Sequence, residues 1–213
     1  RRVLFRSCDV LFSIGSSLFS NRFSHAVPDP AKKTIIQCTV DMLDINRSFK
    51  TSHAVIGDAK LSLQALIAEF SKQAGGARKT SAVEQVRAQK AEFVAKFKPF
   101  MESNEKPINP YRVIGDLMKV LDPKKSFVNG DSGNTRDQLS TVYEAQIPRG
   151  HLGWGNVSTL GFSLAAALGA KLAFPDRQCV AITGDAGMCY MMGDFEATAP
   201  HKLGITVIHI NNG

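Results

Sequence analysis

A chain of 213 residues, 44% hydrophobic and 21% charged, has the makeup of one large or two small globular domains, which excludes disorder and collagen-like repetition. The 26 Lys and Arg outnumber the 19 Asp and Glu to give +7, but three of the excess cations are Arg1, Arg2 and Arg6, so the charge does not argue for a nucleic-acid partner. The apolar stretch Leu160 to Ala170 falls short of the roughly 20 residues of a membrane span, so no membrane is expected.

The chain opens on Arg1–Ser7, which reads equally as the remnant of a sequencing adaptor or as the approach to a strand. Strand-like runs follow at Val10 to Ile14 and Thr34 to Val40. Next comes an amphipathic helical stretch, Leu61 to Phe70, with Leu61, Leu63, Leu66, Ile67 and Phe70 apolar. Residues 8–70 therefore read as part of an α/β domain. From 71 to 106 the composition shifts to Gly75-Gly76, a basic helix with Val83, Val86, Phe93, Val94 and Phe97 on one stripe, and a polar run before Pro107. This segment reads as a linker, and its seven basic residues against Glu84 and Glu92 between Lys72 and Lys98 as a solvated helix face.

Residues 107–213 form a second α/β pattern. It comprises a helix from Pro110 to Leu121, a strand from Ser126 to Asn129, and a Gly-containing loop from Gly130. A helix from Thr159 to Ala173, a strand from Cys179 to Thr183, a helix from Asp194 to Leu203 interrupted by Pro200, and a strand from Ile205 to Ile210 complete it. The fold class is α/β, with open parallel sheets flanked by helices. The abrupt start on a strand, and the stop at Gly213 just after one, lead us to expect a chain cut on both sides. Cys8, Cys38, Cys179 and Cys189 lie too far apart for a Cys-x-x-Cys clip and read as reduced, packed thiols, and with no secretory signal a cytoplasmic location is expected.

The chemistry concentrates after two of these strands. Thr183-Gly184-Asp185-Ala186-Gly187 follows one, and Asn211-Asn212-Gly213 follows the other. Ligands of open α/β sheets bind at strand carboxyl ends, where helix amino termini point into the crevice. Asp185 and Asn212 are 27 residues apart, about one βαβ unit, so parallel strands would bring a carboxylate and an amide oxygen side by side. That pair is half of a Mg²⁺ shell, to be completed by oxygens of a bound diphosphate. Gly184 and Gly187 would let the backbone approach it without a Cβ in the way.

Gly184-Asp185-Ala186, followed after 24 residues by Asn211-Asn212, resembles the signature of thiamine diphosphate enzymes. The block from Leu160 to Ala170 resembles the helix after the cofactor wedge in the superfamily of acetolactate synthase, pyruvate decarboxylase and benzoylformate decarboxylase. Asp9 to Gly15, Asp41 to Arg47 and Gly57-Asp58-Ala59 look like the later half of its central domain. The resemblance implies a partial central domain, a linker and a truncated diphosphate-binding domain. It also implies that Asp185 and Asn212 ligate the metal and that Ala186 and Gly187 offer N–H groups to the diphosphate. Leu160 would be the wedge that bends the cofactor, the Ser158 carbonyl would receive its amino group, and Asn134, in the loop Asp131-Ser132-Gly133-Asn134, would lie near the diphosphate.

By the same resemblance the parent is an acetolactate synthase-like lyase or transferase. It would decarboxylate or ligate 2-oxo acids with thiamine diphosphate and Mg²⁺, as a homodimer or homotetramer. The family's activating Glu comes from an amino-terminal domain with no counterpart here, so no catalytic residue is assigned and the fragment is expected to be inactive alone. Gly15-Ser16-Ser17-Leu18 lacks an obvious flavin-contacting Arg, and Arg22 lies too far along, which leaves FAD open. The identity of the 2-oxo acid and acceptor is not encoded in these segments. The competing reading is a non-catalytic cofactor-binding module of the same fold. Of the other polar candidates, His209 on its strand reads as a packed core residue, while Trp154 and Tyr190 read equally as site lining or as packing.

Overall fold

The computed structural model describes residues 7–20, 27–73, 82–153 and 157–211. The chain divides into two compact units, Arg1–Arg87 and Ala88–Gly213. In the first, β1 (Val10–Ile14), β2 (Thr34–Thr39) and β3 (His53–Ile56) form a parallel sheet in that order, with Val10 opposite Thr34 and Ile36 opposite His53. The central strand buries Ile35, Gln37 and Cys38. A buried amide must be hydrogen-bonded to be tolerated. Gln37 meets the requirement: its Nε2 donates to the Ser16 and Asp44 carbonyls at 3.2 and 3.3 Å, and its Oε1 accepts from Thr51 Oγ1 at 3.0 Å.

The first helix, α1 (Ala59–Gln73), starts where Asp58 Oδ1 accepts from the Leu61 N–H at 2.9 Å, an amino-terminal cap. It differs from the sequence expectation in burial. None of its residues is buried, and Leu61, Ile67 and Phe70 are exposed. Strand β3 was not anticipated, because its four exposed residues show no apolar alternation for periodicity to detect.

The second unit layers helices on both faces of a parallel sheet ordered β4 (Ser126–Gly130), β5 (Gln178–Thr183), β6 (Thr206–His209). Helix α2 (Ala82–Met101) crosses the division between the units, and its Phe97 ring stands 5.3 Å from Tyr111. Tyr111 belongs to α3 (Pro110–Val120), which begins with Asn109 as the cap, accepting from the Tyr111 N–H at 2.9 Å, and Pro110 in the first turn. Three further helices follow: α4 (Asn134–Val142), α5 (Phe162–Ala173) and α6 (Asp185–Met191).

Alternation along the strands assigns the two faces. Val128, Val180 and Ile182 pack with Ile114 and Leu117 of α3 and Leu139 of α4, while Phe127 and Cys179 meet Ala170 of α5. Strand β4, although it ends the sheet, is buried along its whole length, because helices cover both of its faces and His151 bridges to Val128 on its outer flank. Each such Val, Leu or Ile contributes about 1.5–3 kcal/mol by leaving water.

Two elements depart from the sequence expectation for a backbone reason. Helix α5 starts at Phe162 rather than Thr159, because Ser158 (φ 60°) and Gly161 (φ 84°) are left-handed and cannot belong to it. The helix expected over Asp194 to Leu203 is instead a 3-10 turn, Met192–Ala197, followed by turns through Lys202. Pro200 has no N–H to donate and its ring crowds the carbonyl four residues earlier, which disfavours a continuous α-helix through this segment. Among the described residues, no helix is long and apolar enough to cross a membrane.

Candidate functional site

Beyond β4 the chain reverses its side of the sheet. Residue His151 first lies in parallel bridge register with Val128 on one flank of β4, with its Nδ1 2.8 Å from the Val128 carbonyl. Helix α5 then returns the chain so that β5 pairs on the other flank. Such a switch opens a crevice at the strand carboxyl ends, the usual place for a ligand in an open α/β sheet.

Three loops converge there, and a residue to which the sequence reading gave no role joins them. Asp131, fully buried just past β4, accepts four hydrogen bonds through its carboxylate. Its Oδ1 takes the N–H groups of Ser132 at 2.8 Å and Gly161 at 2.9 Å. Its Oδ2 takes the Ser163 N–H at 3.1 Å and the Ser163 hydroxyl at 2.7 Å. The third loop meets it by close packing, since a Cβ on Gly187 would fall 2.7 Å from both Asp131 Cγ and Thr183 Oγ1. The smallness of Gly187 therefore allows α6 to seat against Thr183 and the loop after β4. Ser132 adds a link: its Oγ lies 2.6 Å from Ser158 Oγ.

The segment 158–163 is thus tied on both sides to Asp131-Ser132, and Leu160 rides between the ties, 36% exposed. Ser158 is exposed, and Asn134 is exposed as the first residue of α4, in the same loop as Asp131. Gly184 caps α6, Asp185 opens it half-buried, and Ala186 is exposed in its first turn. The amides of such a first turn have no intrahelical acceptor and carry the positive end of the helix dipole.

Strands β5 and β6 are parallel neighbours with Thr183 opposite His209, so Asp185 and Asn211 each stand two residues beyond a paired strand end. Asn212, the second expected metal ligand, and Trp154 lie outside the described residues. His209 corrects the sequence expectation. It is exposed, not packed in the core, and its Nε2 lies 3.2 Å from Asp185 Oδ1. Tyr190 is exposed, at the end of α6. Among the described residues no group of three His, Cys, Asp or Glu side chains could hold a metal alone, so a cation at Asp185 would need oxygens from elsewhere.

A signal for Asp131 is present in the sequence, an acid placed directly after the strand Ser126–Gly130. Its partners, however, lie 30 and 32 residues away, and no local pattern names them. Ser132 and Ser163 carried no signal at all.

Residues 131–213 match the family model for the thiamine pyrophosphate enzyme, C-terminal TPP binding domain. Over 94% of its length the chain is 30% identical to a probable acetolactate synthase large subunit of Methanocaldococcus jannaschii, covering 34% of that protein. It is 28% identical over 96% of its length to the corresponding protein of Methanococcus aeolicus, covering 35%. A 2-hydroxyacyl-CoA lyase of Arabidopsis thaliana is 26% identical over 100% of the chain, which covers 38% of the plant protein. The chain spans about a third of the length of these curated relatives.

Proposed function

Since the chain belongs to the superfamily of thiamine diphosphate-dependent enzymes that includes acetolactate synthase, and carries its cofactor-binding domain, we propose that the crevice at the carboxyl ends of β4, β5 and β6 binds thiamine diphosphate through Mg²⁺. The full-length gene product would act on 2-oxo acids by decarboxylation, carboligation or both. When bound, the cofactor supplies an acidic thiazolium carbon and a ring that takes up an electron pair.

The residues do the holding. Asp185, half-exposed at the sheet edge, offers a hard carboxylate oxygen to the cation, and Asn212 would add an amide oxygen. The Ala186 and Gly187 amides, in the first turn of α6, suit the anionic diphosphate. Leu160, 36% exposed, would present an apolar surface to the cofactor, and the Ser158 carbonyl would receive its amino group. Asn134 borders the diphosphate from the loop after β4. We assign the activity to a cytoplasmic homodimer or homotetramer of the full-length gene product, with the activating Glu contributed from outside this chain, so that the chain alone is inactive.

One observation carries the proposal: the parallel register of β5 and β6 sets the Asp185 and Asn211 loops side by side beyond Thr183 and His209. Titration of thiamine diphosphate into the full-length gene product, with and without Mg²⁺, tests it. Saturable binding that disappears on chelation of the metal is the expected result, and absence of binding under both conditions overturns the reading. Binding without turnover of any 2-oxo acid would identify the non-catalytic module instead.

A further inference from the structure

The segment 158–163 is fixed on both sides by two adjacent residues of the loop after β4. On its leading side, Ser158 is held in a left-handed conformation (φ 60°) with its Oγ 2.6 Å from Ser132 Oγ. On its trailing side the Asp131 carboxylate takes the Gly161 and Ser163 N–H groups at 2.9 and 3.1 Å and the Ser163 hydroxyl at 2.7 Å. A buried carboxylate is costly unless every lone pair is used, and here four donors use it. Gly161 packs closely against α6, since a Cβ there would run into the Met191 side chain, and its left-handed φ of 84° suits glycine. The turn is therefore tied at both ends, with Leu160 between the ties.

We propose that Asp131 and Ser132 are positioning residues that set the reach of Leu160 toward the cofactor. This rests on the thiamine diphosphate reading, because it takes Leu160 as the surface against which the cofactor bends. Neither residue touches the cofactor in this scheme. Each acts through the backbone that carries Leu160. The Asp131 carboxylate cannot be replaced by an amide, since an NH₂ on either side would face a backbone N–H that can only donate, that of Gly161 or that of Ser163. Ser132 is the milder probe, a partly exposed hydroxyl whose loss leaves the core untouched.

The test uses the full-length gene product loaded with thiamine diphosphate and Mg²⁺, and reads exchange of the thiazolium C2 proton for deuterium by NMR beside the cofactor Kd. Ser132→Ala is expected to slow exchange about tenfold, with Kd moving less than about threefold, and Asp131→Asn to slow it further. Leu160→Ala supplies the reference. If the clamp works through Leu160, the Ser132→Ala, Leu160→Ala double variant exchanges no more slowly than Leu160→Ala alone. Additive losses, or unchanged exchange in Ser132→Ala, overturn the clamp while leaving the cofactor assignment intact. Failure of the unmodified protein to bind the cofactor overturns the functional reading and the clamp with it. Should Asp131→Asn not fold, the Ser132 and Leu160 cycle decides alone.

Discussion

Asp185 Oδ1 lies 3.2 Å from His209 Nε2, across the ends of two neighbouring parallel strands. The contact joins the first residue of α6 to the last residue of β6, and both side chains keep over a third of their surface in water. In the proposed function the carboxylate faces a cation, and the imidazole is a neighbour rather than a ligand. Asp185→Ala is therefore expected to lower Mg²⁺-dependent affinity for thiamine diphosphate about 10–100-fold, while His209→Gln changes it by less than about threefold. Fluorescence titration of the full-length gene product checks both, with far-UV circular dichroism as the control for folding. Unchanged affinity in Asp185→Ala counts decisively against the metal assignment.

Gly187 supplies a prediction that needs no ligand. Its missing Cβ would stand 2.7 Å from Asp131 Cγ and from Thr183 Oγ1, two buried groups with no room to move. Gly187→Ala must push α6 away from β4 or tilt the carboxylate out of its four hydrogen bonds. A loss of about 1–3 kcal/mol is expected, the usual cost of overpacking. Gly193→Ala, where a Cβ would meet open space, is the matched control and should shift the urea midpoint little. Equal midpoints for the two variants would show that the close packing at Gly187 carries no energetic weight.

Much of the second unit is legible in its sequence, because buried parallel strands write themselves as continuous apolar runs. Phe127-Val128 and Cys179 to Ile182 could hardly be anything else. The first unit is less so: α1 has a helical apolar stripe, yet Leu61, Ile67 and Phe70 are exposed, and periodicity reports an apolar face without saying what covers it. At the site, Asp185 could be placed from chain order alone, since a residue just past a strand end has few places to go. Asp131 could not, because its role consists of hydrogen bonds closed across 30 or more residues. His209 was misread for a related reason. Alternation places a residue on a face, but at the end of β6 that face is already open to water beside Asp185.

The thiols differ in burial and should differ in reactivity. Burial pushes the Cys179 thiol up, with partial relief from Lys171 and Arg177 nearby, so little thiolate is present at neutral pH. Cys38 is also buried, whereas Cys189 is exposed on α6. Alkylation with iodoacetamide at pH 8, followed by mass spectrometry, should modify Cys189 first and Cys179 and Cys38 last. Fast labelling of Cys179 would mean that β5 opens locally far more readily than a central strand should.

The exposed face of α3 provides the pH test. Asp116 accepts from Lys119 Nζ at 2.8 Å and from Arg112 Nε at 2.6 Å, and these two hydrogen bonds, Lys119 first, hold its carboxyl below the usual carboxylate range. Arg112 also donates to the Ser103 carbonyl and to Asn104 Oδ1, both at 2.8 Å, so the cluster ties α3 to the turn after α2. A carboxyl whose pKa is lowered on folding stabilises the folded state at pH values above its unfolded pKa, near 3.9 for Asp, and loses that contribution as pH falls through the folded value. The stability gap between the unmodified protein and Asp116→Asn should therefore be present at pH 7 and close as the pH drops below about 4. Because the cluster lies in water, the gap is small and should shrink further in 1 M salt. Urea midpoints for both proteins at pH 7 and pH 3 measure it, and a gap that widens on acidification would show that Asp116 is held by something other than its two cations.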